Sequence, residues 1–79
     1  MSKYKPLGDY LKNQKATRVT MSFSEIARII GEPLPDSAHQ HRAWWANDPK
    51  HVEAAAWLNA GWKSASVSLM EERVVFFRD

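Results

Sequence analysis

The side chains best suited to chemistry lie close together in residues 37–48, which read SAHQHRAWWAND. Two histidines, a glutamine and an arginine precede two adjacent tryptophans, and residues 37–47 contain no acidic side chain. This set fits three interpretations: a surface that reads nucleic acid, a metal or catalytic site, or a helix that places its tryptophans in the core.

Metal binding and catalysis have little support. His39 and His41 are two positions apart, which directs them about 200° away from each other on a helix, and His51 lies in another predicted helix. The chain has no cysteine, so zinc motifs that need cysteine, disulfides and thiolate nucleophiles are excluded. It also lacks a glycine-rich phosphate loop and a nucleophile elbow. We therefore predict a protein that is not an enzyme and needs no metal or cofactor.

The size of the chain limits how its tryptophans are used. A sequence of 79 residues forms a single domain, residues 1–79, and a domain of this size buries only about 60% of the surface exposed in its unfolded chain. The four tryptophans are therefore needed mainly in the core. Of the adjacent pair Trp44 and Trp45, we expect one inside and one at the boundary.

Basic residues are concentrated near the start of the chain. The net charge is only +2, from 11 basic and 9 acidic residues. Asp9 is the one acid among the basic side chains of residues 3–18, which are Lys3, Lys5, Lys12, Lys15 and Arg18. This segment is either a surface that faces phosphate or an ordinary solvated helix face. No stretch approaches the roughly 20 apolar residues of a membrane span, and no signal peptide is visible, which predicts a cytoplasmic protein without a membrane partner.

Capping, breaker and alternation signals predict the order of the elements. Ser22 and Glu25 form a capping box, Gly31 follows as a C-terminal cap, and Asp48 with Pro49 is typical of a helix start. Alternating serines between residues 63 and 69 indicate a strand with one polar and one apolar face. We predict helices over residues 6–14, 22–31, 37–47 and 49–60, and strands over 18–22, 63–69 and 73–77, the last two forming a hairpin.

This order predicts an α+β fold of the winged helix-turn-helix type, with an additional helix before the wing. In such a fold the helix after the tight turn, here residues 37–47, enters the major groove of DNA. Arginine pairs with guanine and glutamine or asparagine with adenine, whereas serine or histidine can hold phosphates. The basic N-terminal segment, with Arg28 and Lys63 as possible additions, would supply the phosphate clamp. The predicted DNA-contact residues are Ser37, His39, Gln40, Arg42, Asn47, His51, Lys63 and Arg28.

The sequence also resembles a small, essentially uncharacterised prokaryotic family. The resemblance rests on PLGDYL, MSFSEIARIIGEPLPDSA, RAWWAND, HVEAAAWLNAGW and VVFFR, which fit the pattern S-F-x-E-I, L-P-x-S-A, W-W-x-N, H-x-x-A and A-G-W. It implies that the matching residues belong to the common sequence pattern of this family, but it implies no particular activity. The family favours a basic residue, often arginine, at the position of His39, so a permanent charge contact there is less expected. Arg42 is therefore the leading candidate for a base contact and His39 a secondary one.

Two functions remain open at this point. The first is a non-enzymatic DNA-binding module, such as a small transcriptional regulator that works as a homodimer; Asn47 and His51 then either extend the DNA surface or fix the junction between two helices. The second is a protein-interaction module that binds a larger partner through its aromatic rim and the edge of its hairpin. Glu71 and Glu72 in the hairpin turn would repel phosphate, which argues against DNA contact by the wing tip.

Overall fold

The computed structural model describes residues 2–78. This part of the chain contains four α-helices, one 3₁₀ helix and three strands. In chain order these are α1 (Lys5–Lys12), β1 (Arg18–Ser22), α2 (Phe23–Ile30), α3 (Asp36–Gln40), the 3₁₀ helix (Arg42–Trp45), α4 (Val52–Asn59), β2 (Lys63–Ser68) and β3 (Arg73–Phe77). The α+β class is confirmed. None of the described helices is long and apolar enough to cross a membrane.

The three strands form one antiparallel sheet in the order β1-β3-β2. β3 alternates strictly: Val74 and Phe76 are fully buried, whereas Val75 and Phe77 are half-buried on the opposite side. The buried side packs into the same core as the helices, so the sheet has one covered face and one open face. Strands β1 and β3 have the predicted bounds.

Stacked aromatic rings form the centre of the core. Trp45 lies against Phe23 with ring centroids 4.8 Å apart, and against Trp57 at 6.1 Å. Trp57 in turn packs on Phe76 of the sheet at 5.2 Å. Trp45 is buried and Trp44 half-buried, as predicted for the adjacent pair. A short chain buries little apolar surface, and the large rings of these side chains increase the apolar area in the core.

Local signals correctly marked the ends of two helices. The Ser22 hydroxyl accepts the Glu25 backbone N–H and the Glu25 carboxylate accepts the Ser22 N–H, which is the predicted capping box of α2. After α4, Gly61 has a left-handed φ of 87°, and the N–H groups of Gly61 and Trp62 donate to the carbonyls of Leu58 and Trp57. This pairing is a Schellman motif, which few residues other than glycine allow.

The continuous helix predicted over residues 37–47 is wrong. α3 ends at Gln40, His41 is extended, and a 3₁₀ helix follows. The indole N–H of Trp45 donates to the Ala38 carbonyl at 2.9 Å, which is the oxygen that the Arg42 N–H would use in an uninterrupted helix. Burial of Trp45 therefore replaces a helical hydrogen bond with a side-chain one.

The bounds of two other helices also differ from prediction. α1 ends at Lys12 rather than near Gln14. α4 begins at Val52 rather than at Pro49, because the Asp48 carboxylate accepts the Lys50 N–H and closes a separate turn before the helix. Asp48 is thus a turn cap and not the cap of α4.

The simple alternation predicted for residues 63–69 is interrupted by a bulge in β2. Ser64 pairs with Phe76 and Ser66 with Val75, so one β2 residue, Ala65, has no partner in β3. Ser64 therefore lies on the covered face, where its hydroxyl donates to the Trp45 carbonyl, while Ala65 is exposed. A polar contact with the 3₁₀ helix explains why this serine departs from the pattern.

Candidate nucleic-acid interface

The predicted contact residues Ser37, His39 and Gln40 lie exposed on α3, which has only five residues. The His39 Nδ1 is 2.9 Å from a carboxylate oxygen of Glu72 in the hairpin turn. α3 therefore lies beside the acidic end of the sheet. A phosphate placed near His39 would also meet the charge of Glu72.

Arg42 is exposed, and its guanidinium donates to the Val67 carbonyl of β2. β2 is an edge strand, so this carbonyl has no neighbouring strand on that side. Arg42 thus satisfies part of the strand edge that would otherwise be open to another chain. Because Arg42 is exposed, the rest of its guanidinium donors remain accessible for the predicted base contact.

Asn47 is the centre of a hydrogen-bond network between the 3₁₀ helix, α4 and β2. Its Oδ1 accepts the Trp57 indole N–H at 2.9 Å and the Ser64 N–H at 2.9 Å, and the Ser64 hydroxyl oxygen lies 3.1 Å away. Its Nδ2 donates to the Ser64 carbonyl at 2.9 Å. This arrangement matches the predicted alternative in which Asn47 fixes a junction, with β2 added to the two helices.

His51 lies between two carboxylates. Its Nε2 is 3.9 Å from Asp48, and its Nδ1 is 3.7 Å from Glu53, whose side chain is buried. These acids make the surroundings of His51 less favourable for phosphate than the sequence indicates. Within residues 2–78, no group of three or more side chains is arranged to hold a metal ion.

The remaining predicted contacts, Lys63 and Arg28, have different surroundings. Lys63 begins β2 directly opposite Phe77 of β3, and Phe77 is in turn opposite Arg18 of β1. Arg28 is exposed in the last turn of α2 and is not part of any strand. Sheet pairing therefore joins Lys63, but not Arg28, to the basic N-terminal segment.

Four basic residues meet at the end of the sheet opposite the hairpin. We call this group the basic end; its members are Lys15, Arg18, Lys63 and Arg78. Lys15 precedes β1, Arg18 and Lys63 lie in one row across the sheet, and Arg78 follows β3. None of the four forms an ion pair with an acid of residues 2–78. Their charges are thus not neutralised by a described carboxylate.

Arg78 is held in this group by three contacts. Its Nη2 donates to the Lys15 carbonyl at 3.0 Å and its Nε to the Ala16 carbonyl at 3.2 Å, while its guanidinium carbon is 5.2 Å from the centroid of the Trp62 ring. Stacking and hydrogen bonding fix the position of the charge. Arg78 is not among the predicted contact residues, because its hydrogen-bond partners lie more than 60 positions away in the chain and no local pattern marks it.

The predicted basic segment divides into two parts. Lys3 pairs with Glu32 at 3.0 Å and Lys5 with Asp9 at 3.0 Å. The hydrogen bond to Glu32 raises the pKa of Lys3, which is therefore charged and already paired with an acid. From this segment, only Lys15 and Arg18 belong to the basic end.

The two ends of the sheet differ in charge. From Arg73 to Phe77, β3 advances about 13 Å at 3.3 Å per residue, so the acidic hairpin turn and the basic end are well separated. α3 contacts the hairpin end through His39. The basic end and the predicted reading residues of α3 therefore do not form one continuous surface.

The chain belongs to DUF7662, a domain of unknown function whose family model matches residues 4–79. This agrees with the resemblance to an uncharacterised small family. No curated protein and no solved structure matches the chain.

Proposed function

We propose that this DUF7662 domain is a non-enzymatic module that binds nucleic acid, and that the basic end makes its phosphate contacts. The observation that carries the proposal is the convergence of Lys15, Arg18, Lys63 and Arg78 from three separate parts of the chain. A group of cations without described acidic partners attracts a polyanion and releases its counterions on binding.

The charge distribution favours this end of the molecule over α3. Glu71 and Glu72 occupy the hairpin turn, and Glu72 lies next to His39. Arg73 is also partly neutralised, because it pairs with Glu71. A nucleic acid that approached from the basic end would meet positive charge first and would avoid the acidic turn.

The order of the elements supports a winged-helix type of fold as part of the proposal. One helix precedes β1, further helices follow it, and the hairpin of β2 and β3 closes the sheet with β3 in the centre. The helix directly before the hairpin is α4, whose exposed positions Val52 and Asn59 include no cation. α3 is only five residues long, and α4 exposes no basic side chain. We therefore assign DNA contact to the sheet rather than to a helix.

The alternative of a protein-interaction module has less support. Three of the four tryptophans are buried, which leaves little aromatic rim. The outer edge of the hairpin is strand β2, where Asn47 and Arg42 bind backbone groups of Ser64 and Val67. Side chains thus occupy positions that an added strand would need.

A pair of double variants tests the proposal. Arg18→Ala/Lys63→Ala removes two charges from the basic end, and Arg28→Ala/Lys50→Ala removes the same two residue types from exposed positions elsewhere. Binding of labelled DNA is measured by fluorescence anisotropy, with folding checked by thermal melting. We expect the first variant to bind about 30-fold more weakly, because two charged contacts of about 1 kcal/mol each are lost. Equal losses in the two variants would contradict the assignment.

A further inference from the structure

We propose that the open face of the sheet binds single-stranded nucleic acid, with one base stacked on Phe77 and the adjoining phosphates held by Arg18 and Lys63. This inference rests on the proposed function and names the form of nucleic acid that the domain prefers. It rests on the order of residues across the sheet, which brings an aromatic ring and two cations into one row.

The row nearest the basic end consists of Arg18, Phe77 and Lys63, each directly opposite the next across neighbouring strands. Side chains at directly opposed positions have Cβ atoms about 4.5–5.5 Å apart. The Phe77 ring therefore has a cation on each side. A nucleotide whose base covers the ring would place its phosphates within reach of one or the other.

The Phe77 ring is available for such a contact. It is half-buried and points away from the core, because its neighbour Phe76 is fully buried on the covered face. Phe23 and Phe76 each pair with a tryptophan, whereas Phe77 takes part in no aromatic pair within residues 2–78. The core thus does not use this ring.

The next row continues the surface with small and polar side chains. Thr20, Val75 and Ser66 are aligned across the sheet and line a depression of about 290 Å³, whose lining towards the hairpin also includes Glu71 and Arg73. The phosphates of a bound strand therefore belong on the side of Arg18 and Lys63, away from the Glu71 carboxylate. Hydroxyl groups donate to phosphate oxygens and either donate to or accept from base edges, and small side chains leave room for a second nucleotide. The depression lies beside the row that contains Phe77, in the direction of the hairpin.

The shape of this surface favours a single strand over a duplex. The major groove of DNA is about 12 Å wide and admits a helix or a two-stranded ribbon, whereas here three strands lie side by side. An aromatic ring in the floor of a sheet stacks only with a base that has left the base stack. Arg18 and Lys63 then supply the charge that follows the backbone.

The test compares oligo(dT), oligo(rU) and a mixed-sequence duplex by fluorescence anisotropy, using the full chain and its Phe77 variants. Stacking on one aromatic side chain contributes about 1–3 kcal/mol per base, so we expect Phe77→Leu to bind single strands about 5- to 150-fold more weakly. Phe77→Trp should retain binding. Met70→Ala, which removes an exposed apolar side chain from the hairpin turn, is the control and should bind as the parent does.

A second measurement does not depend on the stability of Phe77→Leu. Three of the four native tryptophans are buried, so Phe77→Trp adds an accessible indole to the open face. Its fluorescence should be quenched by oligo(dT) or oligo(rU) more strongly than that of the parent. Equal quenching in the two proteins would overturn the stacking role.

The outcomes separate this inference from the proposed function. Tighter binding of single strands that depends on Phe77 supports both. Duplex binding as tight as single-strand binding, with no effect of Phe77→Leu in a folded protein, overturns the inference and leaves the proposed function in place. Failure of all three nucleic acids to bind overturns the proposed function and this inference together.

Discussion

Replacing Asn47 by alanine should destabilise the domain without changing the affinity of the folded protein for nucleic acid. The Asn47 side chain is the acceptor for the indole N–H of Trp57, which is fully buried. Without it that donor has no partner, at a cost of about 1–3 kcal/mol. Loss of the contacts with Ser64 adds to this cost, although water can replace part of them at the strand edge.

We expect a total loss of about 2–3 kcal/mol, out of the 5–15 kcal/mol that is typical of a folded domain. A loss of about 2 kcal/mol lowers the Tm of a domain of this size by about 8–16 °C. Thermal melting followed by circular dichroism measures this change. The control is Asn59→Ala, which makes the same substitution at an exposed position of α4 and should change stability by no more than about 0.5 kcal/mol.

Two results would refute this reasoning. If Asn47→Ala and Asn59→Ala melted at the same temperature, the network around Asn47 would not stabilise the fold. If Asn47→Ala stayed folded but bound DNA much more weakly, Asn47 would be a contact residue, as one of the sequence predictions has it.

Three further predictions concern separate parts of the fold. Gly8→Ala should cost about 1–3 kcal/mol despite the higher helix propensity of alanine, because its Cβ would lie 2.6 Å from the Ala56 carbonyl oxygen; a higher melting temperature would contradict this. Hydrogen bonds from Ser22 lower the pKa of Glu25 in the folded state. Their contribution to the free energy of unfolding is therefore fully present above the unfolded-state pKa of about 4.3 and is lost as the pH falls through the lower folded-state pKa. The difference in urea midpoint between the parent and Glu25→Gln should therefore shrink on acidification, and a constant difference would be inconsistent with it. Arg42→Ala should lower stability by about 0.5–1.5 kcal/mol without altering base preference, and altered preference in a binding assay would restore the predicted reading role.

Signals carried by neighbouring residues could be predicted from the sequence. The capping box of α2 depends on Ser22 and Glu25, three positions apart, and both groups are present in the expected geometry. The run of β-branched and aromatic residues in RVVFF likewise gave the correct bounds of β3. These features depend on contacts within one turn or one strand, so the surrounding fold has little opportunity to change them.

Features that depend on distant contacts could not be predicted in this way. The helix over residues 37–47 is interrupted because the Trp45 indole binds the Ala38 carbonyl, and no local breaker marks that position. The bulge in β2 follows from the contact of Ser64 with the 3₁₀ helix. Both outcomes require knowledge of which elements pack together.

The candidate site shows the same division. Lys63 and the basic N-terminal segment were identified from residue type and local charge. Their meeting with Arg78 depends on the strand order β1-β3-β2 and its register, which the chain order alone does not specify. The predicted contacts Arg42 and Asn47 also donate to backbone carbonyls of the edge strand β2, which residue type alone does not indicate.

The most direct test of the central claim is the salt dependence of nucleic-acid binding by the parent and by Arg18→Ala/Lys63→Ala. If the four cations of the basic end each contact a phosphate, the logarithm of the binding constant should fall linearly with the logarithm of salt concentration. The expected slope is about −2.8 for single strands or −3.6 for duplex, and the double variant should reduce it by about half. A slope that is unchanged in a folded double variant, or no binding of either form at low salt, would contradict the account.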